Sequence, residues 1–402
     1  QLAQEARVVR DRCAALEADH AEQYHRLIQE TLKLPNDTHP TTPEGDENQA
    51  TIVKMVGKPR TVLVTPSNEA PNPIPYRDHL TLCQELDLVD FQAAATVTGS
   101  SFYYLKREAA LLELALVQYA MQKAVARGFI PVLAPDLVRQ DIMHGCGFRP
   151  RNDEANQTYF VSAVPPSQPG RDTNAISTSD SPSGSSSSAP ANAPPPLCLT
   201  ATAEIPLAGL FTHKRVELRS LPQKLVAFGH CFRAEAGARG AETRGLYRVH
   251  QFSKVELFMV SDPQHSDRAL EEIRELQEDI IGSLGICYRV LDMPTFELGA
   301  SAYKKYDIEA WMPGRQAWGE ISSASNCTDY QSRRLNIRFH PTPDAKAPNF
   351  AHTLNGTACA VPRLIIAILE TFQTPSGEVI IPEPLRPWMM GISKISPIRP
   401  SP

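Results

Sequence analysis

Three familiar features are missing from this 402-residue chain. No run of about 18 apolar residues occurs, so nothing in it is expected to span a membrane. Paired cysteines are absent too. The eight cysteines stand singly at 13, 83, 146, 198, 231, 287, 327 and 359, with no Cys-x-x-Cys. That argues against a structural zinc ribbon and makes a reducing compartment the default. A dominant charge is also lacking. The net charge of −5 excludes a histone-like polycation, although a local basic patch can still bind nucleic acid. One further shortage is local. Residues 161–196 hold no aromatic side chain and almost no large apolar one. Such a stretch cannot bury enough surface to offset its ordering entropy, so it is expected to be a disordered insertion.

What remains is globular in composition, 42% hydrophobic and 21% charged, and long enough for a large core plus an appendage. Residues 1–33 read as one helix. Leu2, Ala6, Val9, Cys13 and Leu16 follow the 4-3-4-3 seam of a coiled coil. At full length it spans roughly 50 Å. An amphipathic helix packed on the core is the alternative. "LPNDTHPTTPEGDEN" then ends it. A second helical stretch covers 102–128 and stops at Gly128. "FIPVLAPDLV", with two prolines, suits an edge strand. From 197 to 340 strand patterns dominate, interrupted by a helix at 266–284, and a last helix runs near 361–372. Strands in runs with helices set aside predict an α+β fold around an antiparallel sheet.

The stretch 232–258, "FRAEAGARGAETRGLYRVHQFSKVELF", opens and closes like two strands yet carries charges of both signs. Alternation places Arg248, His250, Phe252, Lys254 and Glu256 on one face, and Arg233 with Glu235 on another. Guanidinium groups suit phosphate or carboxylate, carboxylates suit an ammonium or a metal, and Phe252 offers a stacking surface. A site for ATP plus an amino acid fits this combination. A solvent-facing sheet held by cross-strand ion pairs fits it as well.

This stretch closely resembles motif 2 of the class II aminoacyl-tRNA synthetases in their seryl-tRNA synthetase form. Other blocks resemble the same family in order: "ARGFIPVLAPDLV" with Pro135 (motif 1), "TATAEIPL" (the Thr-x-Glu serine loop), "GASAYKKYDIEAWMPG", "EISSASNCTDYQSRRLNIRF", "HTLNGTACAVPRLIIAILETFQ" (motif 3) and "VIIPEPLRPWM". Together they cover nearly the whole chain outside 161–196. The resemblance implies a class II antiparallel sheet flanked by helices over 34–402. It also implies that 1–33 is the second helix of a tRNA-binding coiled-coil arm, whose first half would lie upstream.

Activity and site are implied in the same way. The family joins L-serine to ATP, giving seryl-adenylate and pyrophosphate, then passes serine to the 3′ end of tRNA(Ser), as a homodimer. By resemblance Arg233 grips the α-phosphate and the serine carboxylate. Glu235 and Val249, His250, Gln251 and Phe252 hold adenine, with Arg363 on its other face and Arg248 at the far phosphates. Glu320, Ile321, Ser322 and Ser323 complete the nucleotide site, with Glu320 and Ser323 as Mg²⁺ ligands. Thr202, Ala203, Glu204, Glu256, Asn355 and Thr357 bind serine.

One departure stands out: Phe296-Glu297 occupies the place of a common Gly-Asp before "LG". Three other functions are weighed. An amino acid:carrier-protein ligase would lack the tRNA arm, a non-catalytic RNA-binding relative would have lost charged motif residues, and a synthetase for another amino acid would be expected to change Thr202, Glu204 and Glu256. "TACAVPRL" and the insertion point to a mitochondrial matrix enzyme, with the cytoplasm as the alternative.

Overall fold

A computed structural model describes residues 2–64, 73–148, 157–161, 196–235, 244–342 and 344–398. The expected disordered insertion, apart from Val161 and Pro196, falls outside them.

Helix α1 (Leu2–Thr31) forms as its seam predicts. Its seam residues face solvent, with Leu2 83%, Val9 61%, Leu16 59% and Leu27 58% exposed. Packing on the core is therefore not its arrangement. Its root is tied down instead. The Asn36 backbone N–H donates to the Ala300 carbonyl at 2.8 Å, and the Asn36 amide to the carbonyls of Ser301 and Cys327 at 2.9 Å.

Eight strands build the central sheet: β1 (Thr51–Val56), β2 (Ile130–Leu133), β3 (Gln223–Phe232), β4 (Gln251–Ser261), β5 (Tyr288–Asp292), β6 (Lys304–Met312), β7 (Ala317–Asn326) and β8 (His352–Ala360). Their order across the sheet is β1-β5-β6-β7-β8-β4-β3-β2. All neighbours run antiparallel except β2, which lies parallel to β3 at the sheet edge. The edge position suits the Pro131 backbone, which has no N–H to donate. β1, β5 and β8 carry no clear period-2 signal and were not legible as strands.

One sheet face is covered by α2 (Arg107–Ala126), α4 (Ser266–Ser283) and α6 (Val361–Thr371). Val255, Leu257, Ile308, Ala310, Ile321 and Leu354 point into this layer with the helices' apolar faces. In α6, Val361, Leu364, Ile365, Ile366, Ile368 and Leu369 are each at most 1% exposed, worth roughly 1.5–3 kcal/mol apiece. Pro362 sits in the first turn of α6, where its missing N–H leaves no bond unmade. Helix α4 can approach β8 only over Gly356, where an added Cβ would lie 2.3 Å from Ile273 Cγ2. Helix α2 starts at Arg107, five residues later than its sequence suggests, because Tyr104–Leu105 pairs as a short strand with Val89–Asp90.

The second sheet face is only partly covered. Helices α3 (Glu204–Gly209) and α5 (Tyr330–Leu335) close one end through Ile205, Leu207, Phe258, Val260, Leu335 and Ile337. The remainder carries polar side chains.

Candidate active site

Two bulges shape the uncovered face. One lies in the β4–β8 ladder at Val255/Glu256, the other in the β6–β7 ladder at Ile308/Glu309. A bulge re-aims the side chains beside it, here Glu256 opposite Thr357 and Glu320 opposite Glu309. The resulting row runs from Lys254 and Glu256 through Thr357, Asn355 and Ser323 to Glu320, Asp307 and Lys305.

Lys254 and Glu256 are 6% and 2% exposed and pair at 2.7 Å. These strand charges are therefore buried, and a solvent-facing ion-pair sheet is excluded for them. Thr357 Oγ1 donates to Glu256 Oε2 at 3.2 Å. Beside this pair, Glu204 Oε1 accepts from Gln331 Nε2 at 2.6 Å and Asn355 Nδ2 at 2.8 Å. The Glu204 N–H donates to Thr202 Oγ1 at 3.3 Å, and Ala203 is buried behind it. Burial, and next the neighbouring Glu256, push the Glu204 carboxyl up to about 7, against the Gln331 hydrogen bond and the Lys254 charge. The result is a carboxylate-rich pocket able to hold a small ammonium compound bearing a hydroxyl.

The motif-like hairpin differs from its sequence picture. β3 ends at Phe232 and β4 begins at Gln251. Arg233, Glu235, Arg248, Val249 and His250 thus sit in the connection rather than on alternating strand faces. Glu235 takes a left-handed backbone, φ +49, and the Arg233 N–H still reaches the His250 carbonyl at 2.9 Å. A cavity of ≈ 180 Å³ is lined by Arg233, Glu235, Tyr247, Arg248, Phe252 and Arg363 among others. Glu235 pairs with Arg248, and the Arg233 guanidinium lies 5.2 Å from the Phe252 ring centre. His250 and Gln251 do not line this cavity. His250 packs by the Phe102 ring and donates through Nδ1 to the Arg233 carbonyl at 2.9 Å.

Arg363 is no surface arginine. Its Nη1 donates to the Glu320 carbonyl at 2.9 Å and to Glu320 Oε2 at 3.0 Å, and its guanidinium sits 4.6 Å over the Tyr247 ring. Burial raises the Glu320 carboxyl, but Arg363, Lys305 and Arg233 outweigh it and hold the group below the usual carboxylate range. Of the following residues, Ile321 belongs to the core, and Ser322 lies beneath the sheet donating to the Thr357 carbonyl at 2.5 Å. Ser323 stands opposite Asp307 in the ladder.

Several residues escaped sequence reasoning. Lys305 and Asp307 pair at 2.7 Å on the site face, and burial pushes the Asp307 carboxyl up despite Lys305. The alternation in "KKYDIE" was a usable signal. Arg315 lies 4.3 Å over the Tyr247 ring, and Gln331 arrives from α5. For these two no local pattern existed, because their partners are remote in sequence.

A mostly antiparallel sheet with an arginine-and-aromatic cavity beside a carboxylate pocket defines a class II synthetase core. The family described as "tRNA synthetase class II core domain (G, H, P, S and T)" matches residues 193–372. The chain is 41% identical over 391 residues to the serine–tRNA ligase of Treponema denticola, spanning 96% of this chain and 82% of that protein. It is also 41% identical over 385 residues to the mitochondrial serine–tRNA ligase of Mus musculus, spanning 95% and 66%. The crystal structure of seryl-tRNA synthetase from Pyrococcus horikoshii complexed with ATP superposes with a TM-score of 0.82 at 35% identity, covering 99% of this chain and 84% of that one. The chain belongs to the serine–tRNA ligase family.

Proposed function

We propose that this protein activates L-serine with ATP and transfers it to the 3′ end of tRNA(Ser). The observation that carries this reading is the continuity of the two subsites on one sheet face. Phe252, Lys254 and Glu256 alternate along one face of β4, and the Arg233 guanidinium packs over the Phe252 ring, so an amino acid at Glu256 and a nucleotide at Phe252 can meet at Arg233.

In the first step a serine carboxylate oxygen attacks the ATP α-phosphorus and pyrophosphate leaves. Positioning and charge neutralisation do most of the work in such a displacement. Arg233 holds the serine carboxylate and the α-phosphate, where charge builds in the transition state. Adenine stacks on Phe252 with Arg363 opposite, Glu235 and Val249 fix its edge, and Arg248 meets the far phosphates. Glu204 and Thr202 take the serine ammonium, while Glu256, Thr357 and Asn355 take the hydroxyl. Glu320 and Ser323 supply oxygen donors for Mg²⁺. Among the described residues no group of three or more His, Cys, Asp or Glu could hold a metal ion. A two-donor site fits Mg²⁺, which prefers one or two protein oxygens plus substrate phosphates and waters. Bound there, the ion would neutralise phosphate charge. In the second step a ribose hydroxyl at the tRNA terminus attacks the acyl carbon and AMP leaves.

Residues 1–33 serve as one helix of the tRNA arm in this reading, and 34–402 as the catalytic domain. A homodimer completes it: β2 leaves Ile130 55% and Leu133 89% exposed on an open strand edge that a second copy can cover. The mitochondrial matrix is the compartment carried forward. Bacterial and mitochondrial relatives are equally similar, so imaging of a tagged full-length gene product separates it from the cytoplasm.

Serine-dependent ATP–pyrophosphate exchange tests the first step, followed by charging of tRNA(Ser) with and without residues 1–33. Serine should far outperform alanine, because alanine leaves buried polar groups unpaired. Comparable exchange with alanine would sink the assignment. Removing 1–33 should spare exchange and sharply reduce charging, and equal loss of both would refute the arm.

A further inference from the structure

A second, larger cavity opens from the serine pocket. It measures ≈ 500 Å³ and is lined by Glu204 and Asn355 at its inner end, with Lys305, Phe148, Phe296 and Glu297 also on its walls. It shares no lining residue with the nucleotide cavity. Phe296 is 72% exposed, more than any other phenylalanine, tyrosine or tryptophan among the described residues. The segment that carries it is pinned rather than loose. The Thr295 N–H donates to the Pro43 carbonyl at 2.9 Å, the Phe296 N–H to the Gly45 carbonyl at 3.0 Å, and the Gly45 N–H to Thr295 Oγ1 at 3.0 Å. An exposed ring on a fixed backbone is a prepared contact surface, since little ordering is left to be done on binding.

We propose that Phe296 is a stacking platform for the terminal base of the incoming RNA acceptor. This rests on the ligase reading above. Its second step requires a terminal ribose hydroxyl at the acyl carbon, two bonds from the ammonium that Glu204 takes. The base on that same ribose must then occupy the space adjoining Glu204, and adenine of ATP occupies the separate cavity at Phe252. Phe296 stands at the boundary of that adjoining space. Every base has a π-face, so an aromatic ring binds it without hydrogen-bond readout. Glu297 lies beside Phe296 and acts on Lys305 electrostatically, but it offers no stacking surface.

The experiment compares wild type, Phe296→Ala and Phe296→Trp in the full chain. Serine-dependent exchange should be equal in all three, which also shows that each variant folds. Charging of tRNA(Ser) should lose kcat/KM by about 5- to 150-fold in Phe296→Ala, the size of one stacked base, and recover in Phe296→Trp. Direct binding of tRNA(Ser) lacking its terminal adenosine should not distinguish wild type from Phe296→Ala. Unchanged charging in Phe296→Ala overturns the proposal. So does an equal loss in exchange, or a binding defect that persists with the shortened tRNA. Failure of wild type to charge tRNA(Ser) at all would instead remove the ligase reading itself.

Discussion

With the serine ammonium at Glu204 as proposed, serine binding becomes a proton-linked event. Its carboxyl is buried beside Glu256 and sits near 7 in the free protein, against an ordinary value of 4.5. Glu256 is itself tied to Lys254 at 2.7 Å. The nearby thiols of Cys146 and Cys327 are raised by burial and then by Glu204, so both stay neutral across the pH range of interest. A serine ammonium placed against Glu204 favours the ionised form. Below about pH 7, binding must therefore expel a proton. The apparent serine affinity should weaken about tenfold between pH 8 and pH 6, following one proton per site. The Glu204→Gln variant should bind serine poorly at every pH and show no such slope. KM for serine in the exchange assay, at saturating ATP and Mg²⁺ from pH 6 to 8, measures it. Calorimetry in two buffers of different ionisation heat counts the proton. Asp307, also raised, faces Lys305 and Glu320 at the nucleotide end and enters the ATP dependence instead. Stability has the matching sign. The folded state binds more protons between 4.5 and about 7, so this group's contribution is present at acid pH and lost as pH rises through 7. A flat serine KM in wild type, or the same slope in Glu204→Gln, would refute the placement of the ammonium at Glu204.

Two further outcomes are expected. Arg233→Ala should lower the rate of adenylate formation by at least ~100-fold, because a preorganised donor aimed at developing charge is removed; rapid-quench measurement on a folded variant giving a near-normal rate would make Arg233 structural. Glu370→Ala should destabilise the fold by ~3–5 kcal/mol, read from the denaturant midpoint. Glu370 is fully buried and accepts the backbone N–H groups of His79 at 3.0 Å, Gly314 at 2.8 Å and Arg315 at 3.1 Å. A loss below about 1 kcal/mol would mean that water or another side chain satisfies those donors.

Local chemistry sufficed for much of this molecule. The seam of α1, the turn formers after it, the alternation in β3, β4, β6 and β7, and the apolar run of α6 were all legible, since each depends on neighbours a few residues apart. The ordered charged blocks also pointed to a nucleotide and an amino acid. Tertiary structure decided the rest. It set which charges were buried: Lys254 and Glu256 look surface-like in sequence, but β8 paired alongside them and α3 packed against β4 remove them from water. It moved Arg248 and His250 off the strand, because the β3–β4 ladder ends at Phe232 and Gln251 and Arg248 lines a cavity instead. It left the α1 seam in solvent, where periodicity alone had allowed packing on the core. And it brought Gln331 to Glu204, and Glu370 to the turn at Gly314, across 127 and 56 residues. A carboxylate's pKa and a guanidinium's partner depend on groups within a few ångströms, and only the folded chain selects which groups those are.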